Sequence, residues 1–478
     1  MEFDVVVVGA GTAGIACAIS LAEAGVPRIA VIEKDTVVGG TLHLSSGQMS
    51  GSASRLQRSQ GIDDSPEAHL ADINRLGHGR ADQALARLAV GEAGATIDWL
   101  EQLGFPFPAD QPMLYYGHDP YTTARTYWGP EMGISILKAI QPRLEELVAQ
   151  GRIDLRLGCA LEELLVDGGR VTGVRAAAAG GGPVELRARN VALTTGGYAA
   201  SRVLFDRLHP GIHVLLGARH TSQGEGLLAA ERAGGAIRNA DVHLSNVGGI
   251  ETAFGEGVTD LWEALANTNA HYRAARELYV TAAGERYIAE DEPSQDAQER
   301  ALMRIGGRMW LVFDEAAIGS DEQHDEAPLV VGWSAEMLRE QAALGQIAWT
   351  ADSLEELAAK AGIDPAGLAR TVAEFNEACA RGGGDPLGRR ALDHPVAAPP
   401  FYALRTDGFT VISWAGLAVN RELRVTRSSG EPIPGLWAAG EILGASAHMG
   451  DAFCSGMAVT PALSLGRWLG RRLAAELA

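Results

Sequence analysis

Near the start of the 478-residue chain stands the sequence Val5-Val6-Val7-Val8-Gly9-Ala10-Gly11-Thr12-Ala13-Gly14. Four consecutive valines predict a buried parallel strand, and the Gly-x-Gly-x-x-Gly turn after them predicts a helix that runs to about residue 24. A second apolar strand, residues 29–32, ends at Glu33, which lies 19 residues after Gly14. This order is typical of a βαβ unit that binds a dinucleotide.

Each glycine of the turn has its own physical role. Gly9 allows the tight turn, Gly11 lets a pyrophosphate approach the backbone, and Gly14 lets the helix pack closely on the strand. The helix N-terminus presents unpaired N–H groups and the positive end of its dipole to the phosphates. Glu33 is placed to accept hydrogen bonds from a ribose diol, and no arginine follows it directly to receive a 2′-phosphate.

Composition excludes several classes of protein. The net charge of −20 argues against nucleic acid and against anionic membrane surfaces, because both need a basic face. The apolar runs fall far short of the roughly 20 residues that span a bilayer. Glycine is abundant, with 59 residues in 478, so we expect this fold to need backbone without side chains at many positions.

The four cysteines are scattered single thiols: Cys17, Cys159, Cys379 and Cys454. Their spacing fits no metal cluster, so we expect no metal site, and it suits a reducing compartment. The first residues lead straight into a strand without a basic region or cleavage site. We therefore expect a cytoplasmic protein.

The pattern along the chain predicts an α/β protein with two domains. Residues 62–104 read as helical, and residues 153–198 alternate as strands with a turn at 167–170. Residues 241–400 are more polar and helical. We expect a discontinuous Rossmann-like cofactor domain, residues 1–240 and 401–478, with residues 241–400 inserted as an α+β cap for the substrate.

Small and hydroxyl residues follow Glu33 closely in the segment Gly39-Gly40-Thr41-Leu42-His43-Leu44-Ser45-Ser46-Gly47. Residues packed so densely suit a chain that lies against a flat cofactor ring. The glycine turn, Glu33 and this segment resemble motifs of the FAD-dependent fumarate reductase, succinate dehydrogenase and 3-ketosteroid dehydrogenase superfamily. Further matching motifs are Thr195-Gly196-Gly197, Gly224-Glu225-Gly226, Gly284-Glu285-Arg286-Tyr287 and Gly440-Glu441. They occur in the family's order over essentially the whole chain.

The resemblance implies FAD as the cofactor. The residues expected to bind it are Gly9, Ala10, Gly11, Thr12, Ala13, Gly14, Glu33, Lys34, Gly39, Gly40, Thr41, Ser45, Ser46, Gly47, Ala160, Thr195, Gly196, Gly197, Gly224, Glu225, Gly440, Glu441, Met457, Ala458 and Val459. The last three would open the final helix toward the flavin. The histidine that attaches FAD covalently in one branch lines up with Thr41, so the resemblance implies non-covalent FAD and leaves His43 as an ordinary histidine.

For catalysis, the resemblance implies that Arg286 is either a proton donor or a structural, substrate-orienting residue. Arg273 lines up with a relay arginine, but the relay glutamate falls at Ala270. The two histidines and the arginine that bind the dicarboxylate in the family align here with Asn246, Ile412 and Phe453, so the charged anchors are absent from these positions. Such a pocket cannot offset the desolvation of two carboxylates, so fumarate, succinate and aspartate are excluded as substrates.

Aromatic residues dominate the remaining site segments, which is closer to the ketosteroid dehydrogenase branch. Tyr127 is a candidate base, and Arg125 would either lower the pKa of Tyr127 or bind one substrate carboxylate. His448 comes from a segment expected to flank the flavin and is a further catalytic candidate.

The sequence thus predicts an FAD-dependent oxidoreductase that moves a hydride between flavin N5 and a CH–CH or C=C unit next to a carbonyl or carboxyl. The substrate would be a small, cyclic or aromatic organic molecule. Electrons would pass to or from an external carrier, oxygen or a nicotinamide. The alternatives are a flavin-dependent amine or amino-acid oxidase and a non-catalytic flavoprotein partner subunit.

Overall fold

The computed structural model describes residues 2–318 and 327–478 and arranges them around two large sheets. The strands are β1 (Glu2–Val8), β2 (Ile29–Ile32), β3 (Met49–Ser50), β4 (Thr126–Tyr127), β5 (Ile153–Arg156), β6 (Cys159–Asp167), β7 (Arg170–Ala178), β8 (Pro183–Leu193), β9 (Leu215–Leu216), β10 (Ile237–Arg238), β11 (Asn246–Gly249), β12 (Leu265–Ala266), β13 (Leu278–Val280), β14 (Arg308–Asp314), β15 (Val330–Val331), β16 (Ala348–Ala351), β17 (Phe401–Thr410), β18 (Gly416–Leu417), β19 (Arg424–Thr426) and β20 (Pro432–Ala438).

The helices are α1 (Thr12–Glu23), α2 (Arg55–Ser59), α3 (Pro66–Leu76), α4 (Gln83–Gln102), α5 (Gly133–Ala149), α6 (Arg202–Leu208), α7 (Glu225–Arg232), α8 (Gln295–Arg304), α9 (Glu315–Ile318), α10 (Ala335–Leu344), α11 (Leu354–Ala361), α12 (Pro365–Arg381), α13 (Ser446–Met449) and α14 (Val459–Leu477). The βαβ unit predicted from the first residues is confirmed, because β1 and β2 are parallel and α1 connects them.

The first sheet has the strand order β19-β20-β8-β1-β2-β5, and its central strands β20, β8, β1, β2 and β5 are parallel. Parallel strands are buried on both faces, which is why residues 5–8 are apolar without alternation. Strands β6 and β7 extend the sheet through β8 as an antiparallel meander. The predicted turn at 167–170 joins β6 to β7.

The two ends of the chain meet on this sheet. Helix α14 packs along α1, and strand β20 pairs with β8 beside β1. This packing brings residues 456–459 and the glycine turn at residues 9–14 to the walls of one cavity. The cofactor domain is therefore discontinuous in sequence, as predicted.

The second sheet has the strand order β13-β14-β17-β11-β12-β15, with β9 and β16 also paired to β17. Along β14, Met309, Leu311 and Phe313 pack into one apolar cluster, and Trp310 and Val312 pack into another on the opposite face. Helices α11 and α12 cover the second face. The inserted α+β unit is thus built around its own two-sided core.

One predicted boundary differs from the structure. We expected residue 401 to return the chain to the cofactor domain, but β17 (Phe401–Thr410) lies in the middle of the second sheet, hydrogen-bonded to β14, β16 and β11. The strand is buried almost throughout, so its apolar pattern did not reveal which sheet it joins. The predicted α/β class with an inserted cap is confirmed.

Within the described ranges, no helix has the length and apolar character of a membrane span. Those ranges also contain no grouping of histidine, cysteine and acidic side chains suited to hold a metal ion. Cys17, Cys159, Cys379 and Cys454 are all free thiols.

Candidate cofactor and substrate site

A cavity of about 330 Å³ runs from Glu33 to the start of α14 and lies between the first sheet and the cap. This volume is within the range of about 300–1,000 Å³ found for small-molecule and cofactor sites. Its walls include the glycine turn, the segment after Glu33, the end of β8 and the residues before α14. The cavity therefore collects segments that are far apart in sequence at the carboxyl edge of the parallel strands.

The glycine turn forms one end of the cavity. Gly9 has φ of +99°, a left-handed conformation that favours glycine, and Gly11 is the N-cap of α1. The N–H of Ala10 donates to Glu33 Oε2 at 2.7 Å, and the N–H of Asp35 donates to Glu33 Oε1 at 2.9 Å. These bonds hold the Glu33 carboxylate at the cavity wall.

Two cations stand beside Glu33. Lys34 Nζ pairs with Glu225 at 2.5 Å, and Arg219 pairs with Asp35 at 2.6 Å. Arg219 was not predicted from the sequence, since it lies outside every motif. Its pairing with Asp35, two residues after Glu33, is a contact that only the folded chain makes.

Buried polar atoms on the cavity wall lack partners among the described residues. They include Nε of Arg219 and Oγ1 of Thr195. Buried polar groups are normally hydrogen-bonded, so these atoms are ready to bond to a ligand. Together with the glycine turn and Glu33, they fit the phosphates, ribose and hydroxyl groups of FAD.

The other end of the cavity is formed by Met457, Ala458 and Val459, where α14 begins. A helix N-terminus favours negative charge through its free N–H groups and its dipole. Glu441 also lines the cavity and accepts a hydrogen bond from the N–H of Ser413 at 2.9 Å. Burial raises the pKa of Glu441.

Most predicted cofactor residues line the cavity: Gly9, Gly11, Thr12, Ala13, Glu33, Lys34, Gly40, Thr41, Ser45, Ser46, Thr195, Gly196, Gly440, Glu441, Met457, Ala458 and Val459. The remaining predicted residues do not line the cavity: Ala10, Gly14, Gly39, Gly47, Ala160, Gly197, Gly224 and Glu225. Several of these act through neighbours. Glu225 holds Lys34, and Gly14 packs against Gly9.

Arg286 does not line the cavity and is bound inside the cap. Its guanidinium donates to Glu290 at 2.7 and 2.6 Å and to Asp385 at 2.5 Å, and it lies over the ring of Phe375. Only 6% of its side chain is exposed. The predicted proton-donor role is therefore corrected in favour of the structural alternative.

Arg273 belongs to the same ion-pair network. Arg273 pairs with Glu277 at 2.6 Å. Arg389 links this pair to the Arg286–Glu290 pair, because it donates to the carbonyl of Glu277 and to the carboxylate of Glu290. None of these arginines lines the cavity. Arg273 and Arg286, the two residues aligned with the family's proton relay, thus belong to a buried ion-pair network of the cap.

Arg125 and Tyr127 are also removed from the cavity. Arg125 is fully buried and pairs with Asp64 at 2.8 Å and with Asp72 at 2.7 Å. The hydroxyl of Tyr127 lies 2.7 Å from that of Ser54, and burial raises the pKa of Tyr127. Arg125 therefore does not line the cavity, its charge does not offset the effect of burial on the pKa of Tyr127, and the predicted base is a core tyrosine.

His448 is the one member of the predicted catalytic set that lines the cavity. It is buried, its Nε2 has no partner among the described residues, and burial lowers its pKa to about 3. Its catalytic role stays a prediction.

The cavity wall also contains two residues that align with the family's dicarboxylate clamp but carry no charge. Ile412 and Phe453 both line the cavity, with Val411, Leu261 and Met449. The ring of His118 stacks on Phe453 at 5.2 Å, and Trp414 packs edge-on against Phe453 at 5.0 Å. His118 was not predicted as a site residue, because it stands in a loop whose tyrosines were the stronger candidates.

Comparison with known proteins agrees with this geometry. Residues 4–457 match the family model described as "FAD binding domain". The chain belongs to this FAD-binding family. Fumarate reductase (cytochrome) of Shewanella frigidimarina is 28% identical over 473 residues, covering 98% of this chain and 77% of that protein.

Urocanate reductase of Eggerthella lenta is 26% identical over 489 residues, covering 99% of this chain and 75% of the relative. The homologues are FAD-dependent oxidoreductases acting on C=C or CH–CH groups, and the predicted enzyme class is confirmed.

Solved structures share the fold. The open conformation of a flavocytochrome c3 fumarate reductase has a TM-score of 0.75 at 24% identity, covering 99% of this chain and 78% of that one. A 3-ketosteroid delta1-dehydrogenase from Sterolibacterium denitrificans has a TM-score of 0.77 at 21% identity, covering 99% of this chain and 100% of that one. The fold of this FAD-binding family member is thus that of both branches.

Proposed function

We propose that this enzyme oxidises or reduces a CH–CH or C=C unit next to a carbonyl or carboxyl of a small cyclic or aromatic molecule. FAD, when bound, supplies the hydride acceptor or donor at N5. The residues that would hold it are the glycine turn, Glu33, Thr195, Glu441 and residues 457–459.

The observation that carries the proposal is the lack of positive charge at the α14 end of the cavity. Among the described lining residues, the lysine and arginine side chains are Lys34 and Arg219, which stand at the Glu33 end and are paired with carboxylates. Burial lowers the pKa of His118 to about 4 and that of His448 to about 3, so both are neutral near neutral pH.

A dicarboxylate substrate would therefore meet apolar and aromatic groups at this end. Ile412 and Phe453 offer no compensation for the desolvation of a carboxylate, which costs several kcal/mol per ion. Flat apolar molecules with one polar oxygen fit such a wall better. The relatives include proteins named for urocanate and digoxin as well as proteins named for fumarate.

An anaerobic spectroscopic titration tests the proposal. Reduced holoenzyme is mixed with 2-cyclohexen-1-one, cinnamate or fumarate, and oxidised holoenzyme with cyclohexanone, while the flavin absorbance is recorded. We expect at least one cyclic or aromatic compound to change the redox state of the flavin at least about tenfold faster than fumarate does, a difference of about 1.4 kcal/mol. A panel in which no compound changes the spectrum contradicts the proposal.

A matched pair of variants checks the physical reason. Phe453→Arg places a cation at the apolar end of the cavity, whereas Phe453→Leu keeps it neutral. We expect fumarate to react faster with F453R than with F453L, because only the arginine offsets carboxylate desolvation. Equal fumarate rates in the two variants would show that charge does not select the substrate.

The electron partner is proposed to be an external carrier, oxygen or a nicotinamide, because the sequence contains no haem or iron–sulfur pattern. The free thiols agree with the reducing cytoplasm proposed as its location. Peroxide release with amine substrates would instead favour the alternative of an amine oxidase.

FAD is proposed to be bound without a covalent link. Thr41 lines the cavity where the attachment histidine of the related branch would align, and His43 Nε2 is bound to the carbonyl of Val38 at 2.9 Å. We expect acid precipitation to leave all flavin absorbance in the supernatant. Flavin that remains with the washed protein pellet contradicts this prediction.

A further inference from the structure

A second, small cavity lies beside the main one. Its volume is about 10 Å³, which is enough for about one water molecule. His118 and Phe453 line both cavities, so the two share a wall. The small cavity is otherwise lined mainly by polar and acidic residues: Asp119, Gln295, Asp296 and Glu299.

Glu299 is the most buried acid of this cluster, with 1% of its surface exposed. It stands on α8 and receives hydrogen bonds from two neutral amides, Asn246 Nδ2 at 3.2 Å and Gln295 Nε2 at 3.5 Å. Among the described residues no cation pairs with it, since the adjacent Arg300 is bound to Asp296 and Asp451. A buried carboxyl without a cation favours its neutral, protonated form.

The groups around Glu299 reinforce this state. Asp296 lies on the same helix and Asp119 comes from the loop before β4, while Asn246 on β11 and Gln295 are uncharged. Burial and the two aspartates raise the pKa of Glu299 well above its usual range. The remaining titratable neighbour across the small cavity is His118.

His118 is placed to pass a proton between the cavities. Its Nδ1 is buried and has no partner among the described residues, and its ring is held by the stack on Phe453. Burial lowers the pKa of His118 to about 4, so the ring is neutral and one nitrogen is free to accept while the other donates.

We propose that Glu299 holds the proton that C=C reduction consumes and delivers it through one water and His118. The inference rests on the proposed function in its reductive direction. The O–H of Glu299 breaks as a water O–H forms, the water gives a proton to His118 Nδ1, and His118 gives its Nε2 proton to the substrate carbon next to the one that receives the hydride.

This transfer leaves Glu299 as a carboxylate and His118 as its other neutral tautomer. To reset the site, His118 returns its Nδ1 proton through the water to the Glu299 carboxylate while its Nε2 takes up a proton from solvent, and no group of the protein is oxidised or reduced. His118 is the donor that faces the substrate cavity, and Glu299 is a positioning residue that acts through it.

The test compares Glu299→Gln, Glu299→Asp and the control Glu285→Gln in the holoenzyme. Glu285 is in the cap, and its side chain is 63% exposed. Infrared spectroscopy should detect a protonated carboxyl above neutral pH in the wild type and in E285Q, and that band should be missing in E299Q. Nitrogen NMR of labelled histidine should show His118 Nδ1 shifted in E299Q.

With an enone substrate, E299Q should slow reoxidation of the reduced flavin at least about 100-fold and lose its pH dependence, with KM and flavin content unchanged. E299D should restore part of the reoxidation rate and part of its dependence on pH. E285Q should match the wild type in every measurement.

A missing carboxyl band, or a His118 signal that is the same in wild type and E299Q, overturns the proposal without reference to any substrate. An active E299Q with the wild-type pH profile overturns it as well. If the enone panel fails while the band and the His118 shift are present, the proposed function fails and the Glu299–His118 coupling stands. If E299Q does not fold, E299D should move both the carboxyl band and the His118 Nδ1 signal, and unchanged positions of both in E299D overturn the proposal.

Discussion

At the scale of single residues, an arginine or tyrosine near a site motif was a poor guide to chemistry. Arg125, Arg273 and Arg286 each meet carboxylates inside the protein, where they balance buried charge. These buried guanidinium groups are held by carboxylates and do not line the cavity in which a substrate would bind. Removing one partner of such a pair leaves an uncompensated buried charge.

Arg286→Met should therefore lower stability and not hydride transfer. Loss of the guanidinium removes the arginine paired with Asp385 and leaves Glu290 with Arg389 alone, and we expect the free energy of unfolding to fall by about 3–5 kcal/mol in urea titrations. The control Arg370→Met removes an exposed pair with Glu285 and should cost less than about 1 kcal/mol. A stable R286M that has lost hydride transfer would return Arg286 to the catalytic set.

At the scale of elements, the start of α1 requires close approach of backbone segments. A Cβ at position 14 would lie 1.8 Å from the carbonyl oxygen of Gly9 and 2.8 Å from Thr194 Oγ1. No side chain fits there without moving the turn that lines the cavity. The third glycine of the motif thus acts by packing, although it does not line the cavity.

Gly14→Ala should abolish FAD retention on gel filtration, because the clash displaces the turn at Gly9. The matched control is Gly91→Ala on α4, where an added Cβ meets nothing within 4 Å. G91A should keep its flavin and gain about 0.5–1 kcal/mol of stability from the better helix propensity of alanine. Full flavin retention by G14A would contradict the packing account.

At the scale of the whole molecule, several histidines are buried in the neutral form. Burial lowers the pKa of His118 and His209 to about 4, that of His243 and His448 to about 3, and that of His69 well below its usual value. Below the unfolded pKa of about 6.5, the unfolded chain binds protons that the folded chain does not. Stability is therefore lost as pH falls from about 6.5 toward about 4.

We expect the free energy of unfolding to decrease from about pH 7 to about pH 5, by up to about 1.4 kcal/mol per pH unit for each such histidine. Glu299 and Glu441, whose pKa values are raised, act in the opposite direction but are fewer. His243→Phe should flatten the dependence of the unfolding free energy on pH, because it removes one titrating ring. The phenyl ring should fit, since Phe205 and His209 already pack against a ring at this position. An unchanged slope in H243F, measured by urea unfolding, contradicts the assignment.

Much of the fold was predictable from the sequence, because its signals are local. The valine run, the glycine turn and Glu33 place a βαβ unit within 33 residues, and the structure confirms β1, α1 and β2 there. The placement of β17 was not predictable, since a strand buried on both faces carries no mark of its partners.

The sequence by itself determined the cofactor class, because short glycine patterns specify the backbone turn that lines the cavity. The tertiary structure decided which side chains face the cavity. Arg286 meets Asp385 at a separation of 99 residues, and Glu299 meets His118 only across a folded cavity. Whether a charged side chain is a site residue or a structural one depends on its partners, and partners distant in sequence are chosen by packing.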